Sequence, residues 1–216
     1  MAQVNNRVVK ELLKDYGRTY ADEAGITLRD TPAPLFQLLV MSLMLSARIA
    51  ADKAVSATAS LFKSGLTTPK KMADASWQER VDAITWSGYK RYDERTATSL
   101  GKTAETVLEK YDGDLRKLRD DAHHDVGQLH GKLQTFNGIG KVGANIFLRE
   151  VQTVWDEVYP FADDAVLKTA GKLSLPTETE KLSKVCRRKD LAPLTAALTR
   201  VKLNKKETEI KQAVKR

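Results

Sequence analysis

The sequence predicts an all-α protein, and three observations carry that expectation. No run of useful length alternates apolar and polar residues with period two, the mark of a half-buried strand. Ala, Leu, Lys and Glu are abundant while aromatic residues make up only 6% of the chain, a composition that favours helix over sheet. Pro, Gly, Ser, Thr and Asp punctuate the apolar stretches at the spacing of helix starts and stops.

The elements follow in order. Residues 3–24 read as a first amphipathic helix, too polar for a secretory signal. Thr31 before Pro32 opens the apolar helix Pro34 to Ala47, because proline fixes a helical φ where no backbone donor is needed. Asp52 to Ser64 continues as an amphipathic helix stopped by Gly65, and Thr68 and Ser76 cap two short helices, Lys70 to Ala75 and Trp77 to Trp86. Gly88 breaks the pattern before a long helix, Asp93 to Lys110, closed by the turn Tyr111 to Asp114. Val142 to Trp155, Asp163 to Leu173 and two or three C-terminal helices broken by Pro176 and Pro193 complete the chain. The longest apolar stretch, Leu35 to Leu45, falls short of the roughly 18 residues of a membrane span and reads as a buried helix. Cytoplasmic residence is the expectation, with nucleoid association in a bacterium.

Charge points to the partner. Lys and Arg number 36 against 28 Asp and Glu, a formal charge of +8 with a pI near 9.5, which suits a polyanion. The single cysteine, Cys186, rules out an internal disulfide and a four-thiolate iron–sulfur cluster. His123, His124 and Asp125 resemble a metal site at first sight, but neighbouring side chains on a helix diverge and His130 lies almost two turns away. Trp77, Trp86 and Trp155 read as core or lobe contacts, the latter two also as surfaces for stacking.

The most informative stretch is FNGIGKVGAN, Phe136 to Asn145, followed by YPFADD, Tyr159 to Asp164. Gly138 and Gly140 can adopt backbone angles closed to other residues and admit a ligand close to the chain. A helix starting near Lys141 would aim its N–H groups and the positive end of its dipole at an anion. Leu133, Phe136 and Ile139 supply apolar anchors, Lys141 a cation, and Gly143 and Ala144 small residues for close packing.

These residues resemble the helix-hairpin-helix DNA glycosylases, from about Pro32 to about Leu175. In the endonuclease III branch the hairpin reads like LPGVGRKTAN. LLVMSLMLSARIAADKAVSATASLF (Leu38 to Phe62) resembles that family's "LLSAQ" helix pair, and VDAITWSGYKRYDERTATSL (Val81 to Leu100) its "I-x-x-x-G-x-x-x-x-K-A" segment. The resemblance implies two helical lobes with the active cleft between them. The central lobe would span 34–150, with the hairpin at about 126–150, and the second lobe 1–33 plus 151–216. It also implies base-excision-repair chemistry on double-stranded DNA carrying a lesion or mismatch, by a monomer; the single cysteine departs from the pattern of the many endonuclease III-like enzymes that carry an iron–sulfur cluster near the C-terminus.

That chemistry needs a carboxylate. Breaking an N-glycosidic bond builds positive charge on the sugar, which a nearby acid stabilises while orienting water. Aligned on endonuclease III ("VDTHIFR"), Asp163 is the acid, five residues before Lys168. Aligned on the alkyladenine branch ("DDYLIK"), it is Asp164, with Asp163 as helix N-cap, the alignment favoured here. Bifunctional members carry a Schiff-base lysine where this chain has Val142, so the resemblance implies a monofunctional enzyme, with Lys141 facing phosphate beside Gly138, Ile139, Gly140 and Gly143. Arg48 and Tyr89 fall where relatives fill the gap left by a flipped base, and Lys90 and Arg91 lie on a phosphate-facing loop. The carbonyls of Gln134, Phe136 and Ile139 match those that hold a monovalent cation when DNA is bound. A non-catalytic hairpin protein that reads damaged or branched DNA is the alternative.

Overall fold

The computed structural model describes residues 2–47, 49–85 and 93–215, and no strand occurs among them. Among the described residues fourteen α-helices run in order: α1 (Ala2–Tyr16), α2 (Tyr20–Glu23), α3 (Pro32–Ser46), α4 (Ala51–Lys63), α5 (Pro69–Asp74), α6 (Trp77–Thr85), α7 (Asp93–Tyr111), α8 (Leu115–Asp121), α9 (Val126–Leu133), α10 (Lys141–Val151), α11 (Asp164–Lys172), α12 (Thr179–Ser183), α13 (Leu191–Leu203) and α14 (Glu207–Lys215). No helix among the described residues is long and apolar enough to cross a membrane.

Local chemistry sets the boundaries. The first helix stops at Tyr16 rather than running to residue 24: the Gly17 N–H makes a last helical bond to the Leu13 carbonyl at 3.1 Å in a backbone where a Cβ would lie 2.4 Å from that oxygen, and residues 17–19 leave the helix. The Thr68 hydroxyl accepts from Lys71 N at 3.3 Å and so caps α5. Ser76 and Glu79 form a reciprocal capping box: Ser76 N–H donates to Glu79 Oε2 at 2.7 Å and Glu79 N–H to Ser76 Oγ at 3.2 Å. The Ser76 backbone donor, helped by the hydroxyl, holds the Glu79 carboxyl below its ordinary pKa. Pro193 does not break α13. It sits in the first turn, where the missing N–H breaks no bond of the helix.

Two compact units divide the chain, Ala21–Glu157 and a second made of Met1–Tyr20 with Val158–Arg216. The larger is organised on α3, whose Leu35, Phe36, Leu38, Leu39, Val40, Met41 and Met44 are all fully buried. A helix apolar all round belongs at the centre of a core, and α4, α7, α8 and α10 pack against it. Arg80 is buried where α5, α6 and α7 meet, donating to the carbonyls of Ala97 at 3.0 Å, Met72 at 3.0 Å and Ala75 at 2.6 Å. Burial lowers its pKa. Gly101 makes room for it, since a Cβ there would lie 2.8 Å from the guanidinium.

Residues 21–33 and 151–157 belong to this unit for an identifiable reason. Trp155, fully buried beside Phe147, donates from Nε1 to Asp30 at 2.9 Å. Arg119 of α8 bonds Asp30 at 3.3 Å and grips Glu157 with two further nitrogens. In the smaller unit α1 packs on α13 and α14, and α11 on α13. Val8, Val9, Leu12, Val166, Ala170, Leu182, Leu194, Leu198 and Val201 form its core.

Candidate functional site

The hairpin is built within the larger unit from α9, a turn over residues 134–140, and α10. Asp125 caps α9 by accepting from Gln128 N at 2.7 Å, so the acid of the His-His-Asp cluster is employed by the backbone. His123 and His124 lie in the turn before α9 with positive φ of 51° and 57°, not on a helix, and His124 contacts Asp120 and Glu157. Among the described residues no group of three or more His, Cys, Asp or Glu side chains is disposed to hold a metal. His130 instead ties the two helices of the hairpin, its Nε2 3.0 Å from Asn145 Oδ1.

Phe136 and Ile139 anchor the turn in the core at 2% and 3% exposure, and Phe136 meets the Tyr111 ring at 6.2 Å. Gly138 is indispensable on two counts. Its φ is +83°, and a Cβ there would stand 3.1 Å from Ser99 Cβ. Gly140 differs from the expectation: its φ of −102° and ψ of −166° are open to any residue, and a Cβ would meet nothing within 4 Å. What glycine supplies there is a bare surface. Having no side chain, it cannot cap α10, so the positive end of the helix is offered to whatever sits over the turn. Gly143 serves packing, with a Cβ position 3.0 Å from Ile139 Cγ2 and 3.4 Å from the Ser42 carbonyl of α3.

Side chains from distant elements fix this turn, and no motif in the sequence singles them out. Ser46 Oγ donates to the Gly138 carbonyl at 3.1 Å, Thr103 Oγ1 to the Asn137 carbonyl at 3.1 Å, and Ser99 Oγ to Asn137 Oδ1 at 2.7 Å. The only signal was the Ser99, Thr103 pair one helical turn apart on α7. Lys141 and Val142 both stand exposed at the start of α10, Val142 at 61%. The Phe136 carbonyl accepts from Ile139 N–H at 3.1 Å and keeps a second lone pair.

The acid pair lies in the smaller unit. Asp163 is the N-cap of α11, its Oδ1 accepting from Ala165 N at 3.0 Å and Val166 N at 3.3 Å. Asp164 is the first helical residue and is exposed, as is Lys168 one turn on. Trp77, expected as a core or lobe contact, lies outside the core at 41% exposure, with Nε1 donating to Thr98 Oγ1 at 3.1 Å. Arg48, Trp86, Tyr89, Lys90 and Arg91 lie outside the described residues.

No protein-family model and no curated protein sequence matches the chain. A solved structure does: a trapped endonuclease III–DNA covalent intermediate, an estranged-adenine complex. The likeness has a TM-score of 0.53 at 19% sequence identity and covers 93% of this chain and 85% of that one. The chain has the endonuclease III fold. At this identity the likeness is one of fold, and it extends over nearly the whole chain rather than the hairpin alone.

Proposed function

We propose that the chain is a DNA glycosylase of base-excision repair, acting as a cytoplasmic monomer on double-stranded DNA with a damaged or mismatched base. The hairpin carries this reading: a turn in which Ser46 holds the left-handed Gly138 while Ser99 and Thr103 hold Asn137 presents the uncapped start of α10 beside Lys141. Such a turn is pre-organised for a backbone phosphate, with Gly140 and Gly143 keeping the approach clear and the helices close. The likeness in fold to a DNA-bound endonuclease III supports it.

The base is released by hydrolysis. The Asp164 carboxylate stabilises the charge that develops on the sugar and orients water, while Asp163, pinned by two α11 amides, keeps the helix start in place. Val142 offers no amine for a Schiff base, so the product is an abasic site rather than a broken strand. Arg48 and Tyr89 fill the gap left by the flipped base, and Lys90 and Arg91 take phosphates. The carbonyls of Gln134, Phe136 and Ile139 would hold a monovalent cation that bridges the turn to DNA. A second reading, a hairpin protein that binds damaged or branched DNA without chemistry, is favoured by one observation: capping α11 is reason enough to keep Asp163.

Duplexes carrying uracil, alkylated, oxidised or mismatched bases, treated with alkali after incubation, test the reading. Strand breaks are expected only after alkali, and borohydride should trap no covalent adduct. Efficient trapping would overturn the monofunctional assignment. Asp164→Asn should slow single-turnover base release by about 10²-fold or more and spare DNA binding. Asp163→Asn retains a capping oxygen, so it separates the acid's charge from its cap. If Asp163→Asn alone abolishes turnover, the roles of the two acids are reversed. If neither alters it, the aspartate mechanism is wrong.

A further inference from the structure

Half of the chain's net charge sits in ten residues. KLSKVCRRKD, 181–190, holds five cations against one acid, a net of +4 out of the chain's +8. Lys181, Lys184, Arg187, Arg188 and Lys189 are all exposed. This stretch, the end of α12 and the link to α13, is nevertheless fixed, because Leu182 is fully buried and Val185 and Cys186 pack against the core of the smaller unit.

It is fixed against the stretch of chain that leads into the acid pair. The Arg188 guanidinium carbon lies 4.3 Å from the centroid of the Tyr159 ring, and Thr179 Oγ1 donates to the Ala162 carbonyl at 3.3 Å. The first contact comes from the segment itself and the second from Thr179, at the start of the α12 helix that carries its first residues; together they hold it against 159–162, the strip of chain that leads into Asp163. Two of the cations are answered locally, Lys181 by Glu178 at 2.6 Å and Arg187 by Asp190 at 2.6 Å. Lys184 and Lys189 enter no ion pair among the described residues. Like charges held together on a packed scaffold repel one another, and a polyanion relieves that repulsion while releasing its own counterions.

We infer that residues 181–189 form a second DNA-backbone site, apart from the hairpin, on the unit that carries the α11 acids. The occupant is the sugar–phosphate backbone of a DNA duplex, whose regularly spaced charges suit several exposed cations in a short segment. The inference rests on the DNA-binding part of the proposed function. It does not depend on the chemistry of base release.

The test uses the whole protein and an undamaged duplex, with fluorescence anisotropy from about 50 to 300 mM salt. Lys184→Gln with Lys189→Gln should reduce the slope of log K against log salt by about 1.8, the loss of roughly two phosphate contacts. Its thermal midpoint should equal the wild type's, because both side chains are exposed. Lys141→Ala, in the hairpin, should reduce the slope independently, and the triple variant should add the two effects. A double variant with the wild-type slope, alongside a Lys141→Ala that lowers it, would sink the second site and leave the proposed function standing. Salt-independent binding by the wild type would overturn both. Loss of polyglutamate binding in the same proportion as duplex binding would show a generic anion surface and overturn the duplex as its occupant.

Discussion

Gly138 and Gly140 are equivalent as letters and opposite in physical role. At Gly138 a methyl group meets Ser99 at 3.1 Å in a backbone with φ +83°, so Gly138→Ala should cost about 1–3 kcal/mol in urea unfolding. Gly140→Ala adds its methyl to open space on ordinary backbone, so stability should change by less than about 0.5 kcal/mol while duplex affinity falls. Unchanged affinity would show that nothing approaches α10 over that residue. Cys186 makes a pH prediction with a definite sign. Burial, and to a lesser degree Asp190, push its thiol up to about 11. An unfolded thiol ionises near 8.5. Below that pH both states keep the proton and the group contributes nothing to the pH dependence. Between about 8.5 and 11 only the unfolded state loses it, so stability declines as pH rises, and Cys186→Ala should flatten that decline. Alkylation of the native protein should be slow at pH 8 and inflect near 11; an inflection near 8.5 would contradict the burial argument.

At the scale of the element, what the sequence makes legible is what neighbours along the chain decide. The caps at Thr68 and Ser76, the hairpin and the acid at the start of α11 each depend on residues within a turn or two of one another. Asp125 belongs with them: Asp125→Ala should destabilise by about 1 kcal/mol through the lost α9 cap, whereas Asp125→Asn should be nearly neutral in the same thermal melts. Misreadings arise where a residue's meaning is positional. Pro193 signals a break by identity, but in a first turn it is harmless. Gly17 ends α1 through its backbone, where a Cβ would lie 2.4 Å from the Leu13 carbonyl oxygen, rather than because the apolar pattern fades. The α8 helix, only seven residues long and held by the Asp114 cap with its Arg116 partner, was invisible to periodicity. The partners of the turn were illegible for another reason. Ser46 and Thr103 reach it from 92 and 34 residues away, and only the packing of α3 and α7 brings them there.

The whole molecule is two units of different continuity: residues 21–157 form one uninterrupted stretch, while the other unit joins the first twenty residues to the last part of the chain. The smaller unit therefore stands on contacts of very high sequence separation. Leu12 of α1, with no exposed surface, packs in one cluster with Leu194, Leu198 and Val201 of α13. Leu12→Ala should cost about 2–5 kcal/mol, and circular dichroism with limited proteolysis should show the loss confined to segments 1–20 and 158–216. Cleavage spreading through 21–157 at the same rate would show that the two units do not unfold separately. The same discontinuity sets a timetable for synthesis. When α1 leaves the ribosome its apolar stripe, Val8, Val9 and Leu12, has no partner, and α13 follows roughly 180 residues later. At translation speeds of about 5–20 residues per second, that interval lasts on the order of 10–40 s. Throughout it the hairpin-bearing unit can fold to completion, while α1 waits as a greasy strip in a crowded cell, a natural client for a chaperone until α13 arrives.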